Sequence, residues 1–484
     1  MIPPASDYLR ILPELVLTVF GILVMLVEPL MPAHRDRKPI GVLAFIGALL
    51  AVGATFVQAQ NPGNAFSGMV RVDAFSVFFH FVVTVITAVV ILASISYLKT
   101  QQIRAGEYYG LMLFGTVGMA LLSSAVELVL VFIALEISSI ATYILAGFRR
   151  RAATSIESSL KYFLLGSFAT AFFLYGVAMM FGATGSTDIY KIGEVLRNGN
   201  IPILAYVGVA LMIVGLGFKV ASAPFHVWTP DVYEGAPSPV VALMSTGPKA
   251  GAFAVLLRIL FAASAPGWFW LIWVLAVLSM FIGNIGALVQ NNVKRLLAYS
   301  SIAHAGYLLV AFVSLPKTGE YNYGISAAMF YAASYAAMNV GAFIVISHFG
   351  SLNERYTTLE DYAGLGQRQP ILAAVLTVFL LSLIGIPITG GFFAKFYVFS
   401  AALRANLTGL VIIGVINSAV AAYYYLRVIV YMYMRGPREG VPTTRIPAGL
   451  GVSLAVALIA TIYLGVVPGR VLNYALNAAQ QMLR

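Results

Sequence analysis

Five residues able to carry a charge or a proton stand alone in otherwise apolar stretches: Glu136, Lys219, Lys249, His304 and Lys395. An ammonium or carboxylate in hydrocarbon costs roughly 2.5–3.5 kcal/mol on insertion scales, so such groups are kept where a partner charge or a water-filled path offsets the cost. The chemistry they serve is ion or proton transfer. Glu136 lies in LVLVFIALEISSIATYILAG, with apolar turns on both sides, and reads as a counter-charge for Lys219. A paired lysine keeps its proton and an unpaired buried one tends to lose it, so making and breaking the pair would move a proton. Lys249 follows Gly247-Pro248, where the proline frees a backbone carbonyl for water. His304 lies among Ser300, Ser301 and Tyr307. It suits a relay near neutral pH, and equally a hydrogen bond between helices. Lys395, in GGFFAKFYVFSAAL, is flanked by apolar residues on both sides. In chain order the five form a line of titratable groups.

Membrane helices must position them. The chain has 484 residues, of which 60% are hydrophobic and only 10% charged, with a mean hydropathy of +0.91; a soluble domain carries about 25% charged residues. Its apolar runs are long enough to cross about 30 Å of hydrocarbon, and they are continuous rather than alternating, which excludes a strand-built barrel. The expected fold is an all-α polytopic membrane protein of about fourteen transmembrane helices. They are placed near 11–31, 39–59, 73–98, 108–124, 127–147, 157–183, 202–224, 237–263, 267–290, 295–314, 321–349, 370–404, 407–433 and 446–467. No strands are expected. The run 370–404 contains GIPITGG, too much Pro and Gly for one uninterrupted helix, and Lys219…Pro224 marks a second break.

Counting loops by the spans they join, the odd-numbered ones are the richer in Lys and Arg, with Arg35, Arg37 and Lys38, then Arg149, Arg150 and Arg151, then Lys294 and Arg295 among them. That bias puts the odd loops in the cytoplasm and both termini outside. Two groups of five spans follow, each with a broken helix fourth and a lysine at the break. An odd number of spans per group forces opposite orientations, and inverted repeats with broken helices at matching places point to ion sites near the midplane. The division reads as 1–107, an N-terminal three-helix segment; 108–263, a first five-helix repeat; 264–433, a second, inverted repeat; and 434–484, a C-terminal helix and tail.

Other features are plainer. The net charge of +11 follows from the loop bias and does not call for nucleic acid. There is no cysteine, and the five histidines are scattered, so thiolate metal sites and iron–sulfur clusters are excluded from this chain and no metal site is expected. The N-terminus lacks the pattern of a cleaved signal. Lys161 follows Glu157 at i,i+4 and reads as an interfacial pair. Asp73 and Glu127 open spans, where a carboxylate suits a helix N-terminus. Asp231 and Glu234 read as lining an aqueous mouth, and DIYKIGEVLRNG (188–199) as an amphipathic surface helix.

Four stretches carry a resemblance: SLKYFLLGSFATAFFLYG at 159–176, GFKVASAPFHVWTPDVYEGAPSPVVALMSTGPKAGAF at 217–253, NVKRLLAYSSIAHAGYLL at 292–309 and GIPITGGFFAKFYVF at 385–399. Together they resemble the antiporter-like membrane subunits of respiratory complex I, above all the subunit N family of bacterial NADH-quinone oxidoreductase, which is related to mitochondrial subunit 2. The resemblance spans nearly the whole chain. It implies a fourteen-helix core with two inverted five-helix repeats, no redox centre in this chain, and proton translocation coupled to electron transfer from NADH to quinone. In the family's terms Glu136 corresponds to the glutamate of the fifth helix, Lys219 to the lysine of the broken seventh and Lys249 to that of the eighth. His304 corresponds to a histidine of the tenth helix and Lys395 to the lysine of the twelfth. Subunit M carries glutamate at that last place, and subunit L has a long C-terminal extension that is not expected after 467. The resemblance further implies NADH, FMN, Fe–S clusters and quinone in partner subunits, subunits K and M as neighbours, the lateral helix of subunit L alongside, and a bacterial inner (plasma) membrane. A multi-subunit cation/proton antiporter is the alternative, and a membrane scaffold that conducts nothing is the third reading.

Overall fold

The computed structural model describes residues 3–32, 36–198, 201–263, 268–315, 321–443 and 445–483. Apolar runs become helices here because hydrocarbon offers no partner to backbone N–H and C=O groups, which must bond within the segment. After a short α1 (Ala5–Arg10), the hairpin of α2 (Leu12–Val27) and α3 (Lys38–Ala59) packs beside α4 (Ala74–Thr100). An antiparallel ribbon of β1 (Gly63–Ala65) and β2 (Val70–Val72) joins α3 to α4. No strand was expected there, since segments this short carry no readable periodicity.

The first group comprises α5 (Glu107–Ser124), α6 (Leu128–Ala146), α7 (Ala153–Thr184), α8 (Ile189–Asn198), α9 (Ile203–Val220), α10 (Thr229–Gly235), α11 (Ser238–Met244) and α12 (Gly247–Ala263). The second comprises α13 (Trp268–Leu288), α14 (Val293–Ser314), α15 (Tyr321–Phe349), α16 (Leu365–Arg368), α17 (Pro370–Ile384), α18 (Gly390–Arg404) and α19 (Thr408–Met434), and the chain closes with α20 (Ala448–Val466) and α21 (Pro468–Leu483). Among the described residues, 12 helices are long and apolar enough to cross a membrane. With α5, and with α17 and α18 taken together, the total reaches the about fourteen crossings expected.

Two boundaries differ from expectation. The span at 237–263 is two helices, because Ser245 and Thr246 turn the chain before Gly247 and Pro248 start α12. The tail after 467 is not loose chain but the helix α21, which lays Ala475, Ala478, Ala479 and Met482 against α15 and α4. The amphipathic helix expected at 188–199 is α8, with Ile189, Ile192 and Leu196 buried and α12 packed against it.

Burial orders the bundle. The stretch Ser238–Phe261 is wholly enclosed and α14 and α15 nearly so, whereas α2, α7, α19 and α20 turn broad apolar faces outward. Of these enclosed helices, α12 bears Lys249, α14 bears His304 and α15 bears Tyr331 and Tyr335. Backbones meet closely where residues are small: a Cβ on Gly118 of α5 would lie 2.5 Å from both the Ala134 carbonyl and the Ser138 nitrogen of α6.

Candidate functional site

The sequence folds into a break after Lys219 for local reasons. Ala221 is left-handed at φ 58°, and Pro224 cannot extend a helix. The loosened backbone is re-satisfied by Ser222 N donating to the Gly217 carbonyl at 2.9 Å and Ala223 N donating to Ser279 Oγ at 2.8 Å. Trp228 fills the gap, stacked on Tyr162 with centroids 4.3 Å apart and donating to the Phe218 carbonyl at 3.1 Å. Lys219, 3% exposed, is thus the penultimate residue of a helix that stops inside the bundle. Its Nζ donates to Ser139 Oγ of α6 at 2.9 Å. The expected direct pair with Glu136 is not formed: among the described residues Glu136 has no ion pair within 4 Å, and its Oε1 is buried with no hydrogen-bond partner. Ser139, nearly one turn further along α6, takes the contact instead.

Lys249 sits in the first turn of α12. Its Nζ donates to Ser301 Oγ at 2.5 Å and to the Ser301 carbonyl at 3.1 Å, and Ser301 Oγ also accepts from Tyr335 Oη at 2.7 Å. His304, nearly a turn beyond Ser301 on α14, has Nδ1 2.7 Å from Tyr331 Oη and Nε2 3.3 Å from Tyr425 Oη. Tyr425 in turn shares a short hydrogen bond with Ser300. Lys249 and His304 both line one cavity of about 10 Å³, together with Thr246, Ser301, Tyr331 and Tyr335. That is about the space one water needs, and its walls supply the polar partners such a water requires.

Lys395 completes the far side. The break between α17 and α18 opens at Gly385, φ 95°, a conformation that suits a residue without Cβ. From five residues inside α18, Lys395 reaches back across that break. Its Nζ donates to the carbonyls of Ile384 at 2.7 Å and Leu383 at 3.1 Å, and to Ser418 Oγ at 2.8 Å. Those carbonyls are the ones a helix C-terminus leaves without intrahelical partners. The ammonium also lies 4.9 Å from the centre of the Tyr307 ring, whose hydroxyl accepts from Asn284 at 3.1 Å and whose ring is 5.7 Å from that of His304. The two broken helices therefore place their lysines differently, Lys219 before its break and Lys395 after.

Two groups result. Lys249 and His304 share one cavity with Ser301, Tyr331 and Tyr335, and Lys395 is separated from His304 by the Tyr307 ring, which touches both. Glu136 and Lys219 form a second group beside Ser139. Among the described residues, Ser138 Oγ of α6, Tyr233 Oη of α10 and Ser238 Oγ of α11 are buried without hydrogen-bond partners.

Sequence reading missed three buried polar knots. Glu354, beside α15 in a short turn, accepts from Lys294 Nζ at 2.6 Å, Ser238 N at 2.6 Å and Tyr97 Oη at 2.8 Å, with Arg149 at 3.6 Å. Burial works to raise its pKa, but the charges of Lys294 and Arg149 prevail and hold the carboxyl down at about 2. Arg258 grips both oxygens of Asp73 at 2.8 and 3.0 Å. His80 meets Gln58 at 2.7 Å and Glu14 at 3.1 Å. Lys161 does pair with Glu157, as expected, and also with Asp231, both at 2.7 Å. Arg295 joins Asp231 to Glu234, so these two carboxylates belong to a half-exposed ion network. Asp73 and Glu127 cap α4 and α6, as their positions foretold. Among the described residues no cluster of His, Cys, Asp or Glu is arranged to hold a metal.

Comparisons agree with this architecture. Residues 125–421 match the family model described as "NADH:quinone oxidoreductase/Mrp antiporter, TM". The chain is 65% identical to the NADH-quinone oxidoreductase subunit N 2 of Koribacter versatilis, over 99% of this chain and 98% of that relative. It superposes on a chain of respiratory complex I from Thermus thermophilus with TM-score 0.80 and 36% identity, covering 95% of this chain and 98% of that one. A chain of the Mrp complex from Dietzia sp. shares the fold, with TM-score 0.85 at 19% identity over 99% and 97% of the two chains. This multi-span membrane protein, with its enclosed lysines and its two broken helices, belongs to the subunit N family of NADH-quinone oxidoreductase.

Proposed function

We propose that this chain is a proton-translocating subunit of the membrane arm of NADH:quinone oxidoreductase, in which Glu136, Lys219, Lys249, His304 and Lys395 carry the translocated charge. The observation that supports it most is the row from Lys249 to Lys395: three protonatable groups enclosed in a helical bundle, Lys249 and His304 sharing hydroxyls and a cavity the size of one water, and Lys395 set against the Tyr307 ring beside His304. Hydroxyls both donate and accept, so Ser301, Tyr331 and Tyr425 can pass a proton without a net charge crossing bare hydrocarbon.

In this reading a change at the neighbouring subunit shifts Glu136, which alters the proton affinity of Lys219. The partnerless hydroxyls of Ser138 and Tyr233 lie on the elements a proton must pass on the way to Lys249, and hydration of that interval joins the two groups. The proton then passes by His304 to Lys395 and out. The functional units are residues 108–263 and 264–433, flanked by 1–107 and 434–484. NADH, FMN, Fe–S clusters and quinone belong to partner subunits, with subunits K and M as neighbours and the lateral helix of subunit L alongside. The complex resides in the bacterial inner membrane, with both termini of this chain outside.

Lys219→Ala in the assembled, reconstituted complex should abolish the proton gradient formed on NADH oxidation. A normal gradient at normal assembly would sink the relay. A cation/proton antiporter subunit is the second reading, favoured by the shared fold of the Mrp chain. Co-purification decides between them: NADH-oxidising, iron–sulfur partners support the first reading, and small antiporter subunits alone the second.

A further inference from the structure

A groove of about 630 Å³ opens on the outside of the bundle between α3, α4, α15, α20 and α21, a size within the range of about 300–1,000 Å³ typical of ligand sites. It touches none of the five relay residues. Its walls are aliphatic and aromatic, and its one cationic lining residue, Arg470, stands at one end. Arg470 is exposed and has no ion-pair or hydrogen-bond partner among the described residues.

The depth of the groove is informative. Its outer end is marked by Phe56 near the end of α3, Val77 at the start of α4 and Tyr474 on α21; its inner end is marked by Val89, Val340 and Val456. Val77 and Val89 are about 18 Å apart along α4 at 1.5 Å per residue. Half of a 30 Å hydrocarbon layer is about 15 Å. The groove therefore reaches from one membrane surface to about the midplane and stops. A transmembrane helix of a neighbouring protein would need the full thickness, whereas one lipid of one leaflet needs half. Tyr463 and Tyr474 flank the Arg470 end, the placement aromatic residues favour at a headgroup boundary. Arg10 bonds the Asn61 and Pro62 carbonyls just beyond α3, so this end lies on the same side as the N-terminal segment.

We propose that the groove is a binding site for an anionic phospholipid of the leaflet on the side of the chain termini, its acyl chains between α4, α15 and α20 and its phosphate at Arg470. The site gives α15 two lined faces: alanines 333, 336 and 337 toward the lipid, and Tyr331 and Tyr335 toward the polar core.

The test uses the intact membrane complex purified through this chain, in phosphatidylcholine nanodiscs. Two photoactivatable probes carry a diazirine at the end of the same acyl chain, one a phosphatidylglycerol and the other a phosphatidylcholine. Peptides containing Val89, Val340 or Val456 should be labelled, with the anionic probe favoured by a factor of about five, the weight of one cationic side chain beside an anionic lipid. Arg470→Gln should erase that preference while keeping the label. Val456→Trp, or Val456→Phe if the larger side chain blocks assembly, should remove the label. Unlabelled groove peptides, equal labelling by both probes in the unaltered protein, or undiminished label in the filled variant would each overturn the proposal.

Discussion

Lys219, Lys249 and Lys395 are each held by hydroxyl or carbonyl oxygens rather than by a carboxylate, unlike the equally enclosed Lys294. Lys219 uses Ser139, Lys249 uses Ser301, and Lys395 uses Ser418 and two carbonyls. A hydroxyl holds an ammonium less firmly than a carboxylate does, yet it can also rotate and donate to the lone pair of the neutral amine, so it suits a group that must change charge. Ser301 is the sharpest case, because it serves Lys249 and Tyr335 together. Ser301→Ala should lower pumping about tenfold, since hydrogen bonds to charged groups are worth about 1.5–3 kcal/mol; proton uptake during NADH oxidation measures it, with assembly checked on native gels. Glu354 behaves in the opposite way, a carboxylate fixed among cations. Glu354→Gln leaves Lys294 buried without its counter-charge and should cost about 3–5 kcal/mol, read as a lower unfolding temperature of the purified complex. Its folded-state pKa lies below the ordinary 4.5, so the stability it lends is whole above that value and is lost as pH falls toward about 2. Thermal unfolding followed from pH 7 downward should show this loss in the unaltered protein and not in Glu354→Gln. At this scale the isolated charges were legible, because an ionisable residue in an apolar run announces itself. Glu354 and Arg258 were not, since each stands where the sequence reads as loop or helix end. Lys294, fully buried, was counted with the loop cations because a charge rule knows neighbours in sequence and not in space.

The elements divide into those that carry groups and those that permit close approach. α6 carries Glu136 and Ser139, and it is set against α5 with Gly118 backbone to backbone. Gly118→Ala must push the two helices apart at the level of Ser138 and draw Ser139 from Lys219. A destabilisation of about 1–3 kcal/mol, typical of overpacking, should accompany reduced pumping, whereas Gly53→Ala, with nothing within 4 Å of the added Cβ, should be silent in both assays. Proline and glycine made the two broken helices legible, because the residue types that end helices are few and act locally. The turn at Ser245 and Thr246 was signalled by Gly247-Pro248 as well, but that pair serves equally as a local loosening within a single span and as the start of a new helix. The helix α21 escaped for another reason, its alternation of apolar and polar residues being that of a surface helix, too short and too polar to count as a span.

For the whole molecule, orientation is the property most open to direct measurement. The chain has no cysteine, so a single introduced thiol reports its own side of the membrane. Gly469→Cys, exposed just after α20, should react with a membrane-impermeant maleimide added to spheroplasts. Arg150→Cys, whose side chain is 77% exposed, should react only in inverted vesicles. The reverse pattern would invert the proposed arrangement. The bundle's class and approximate number of crossings were readable from hydropathy alone, because the bilayer leaves a chain so few ways to satisfy its backbone. Which helices are enclosed was not, since α14 and α15 are no more apolar than the lipid-facing helices; they differ in what surrounds them.

Glu354 ties α4, the α6–α7 turn, α11 and α14 to the turn after α15, and synthesis runs from the N-terminus. Tyr97, Arg149, Ser238 and Lys294 all leave the ribosome before the carboxylate that will hold them. Until residue 354 arrives, two cations and a helix start await their common anion, and the earlier helices can be threaded into the membrane without being locked together. Closure of this knot is therefore a late event in translation, and a chain cut short before Glu354 is one the cell's proteases should find less firmly locked.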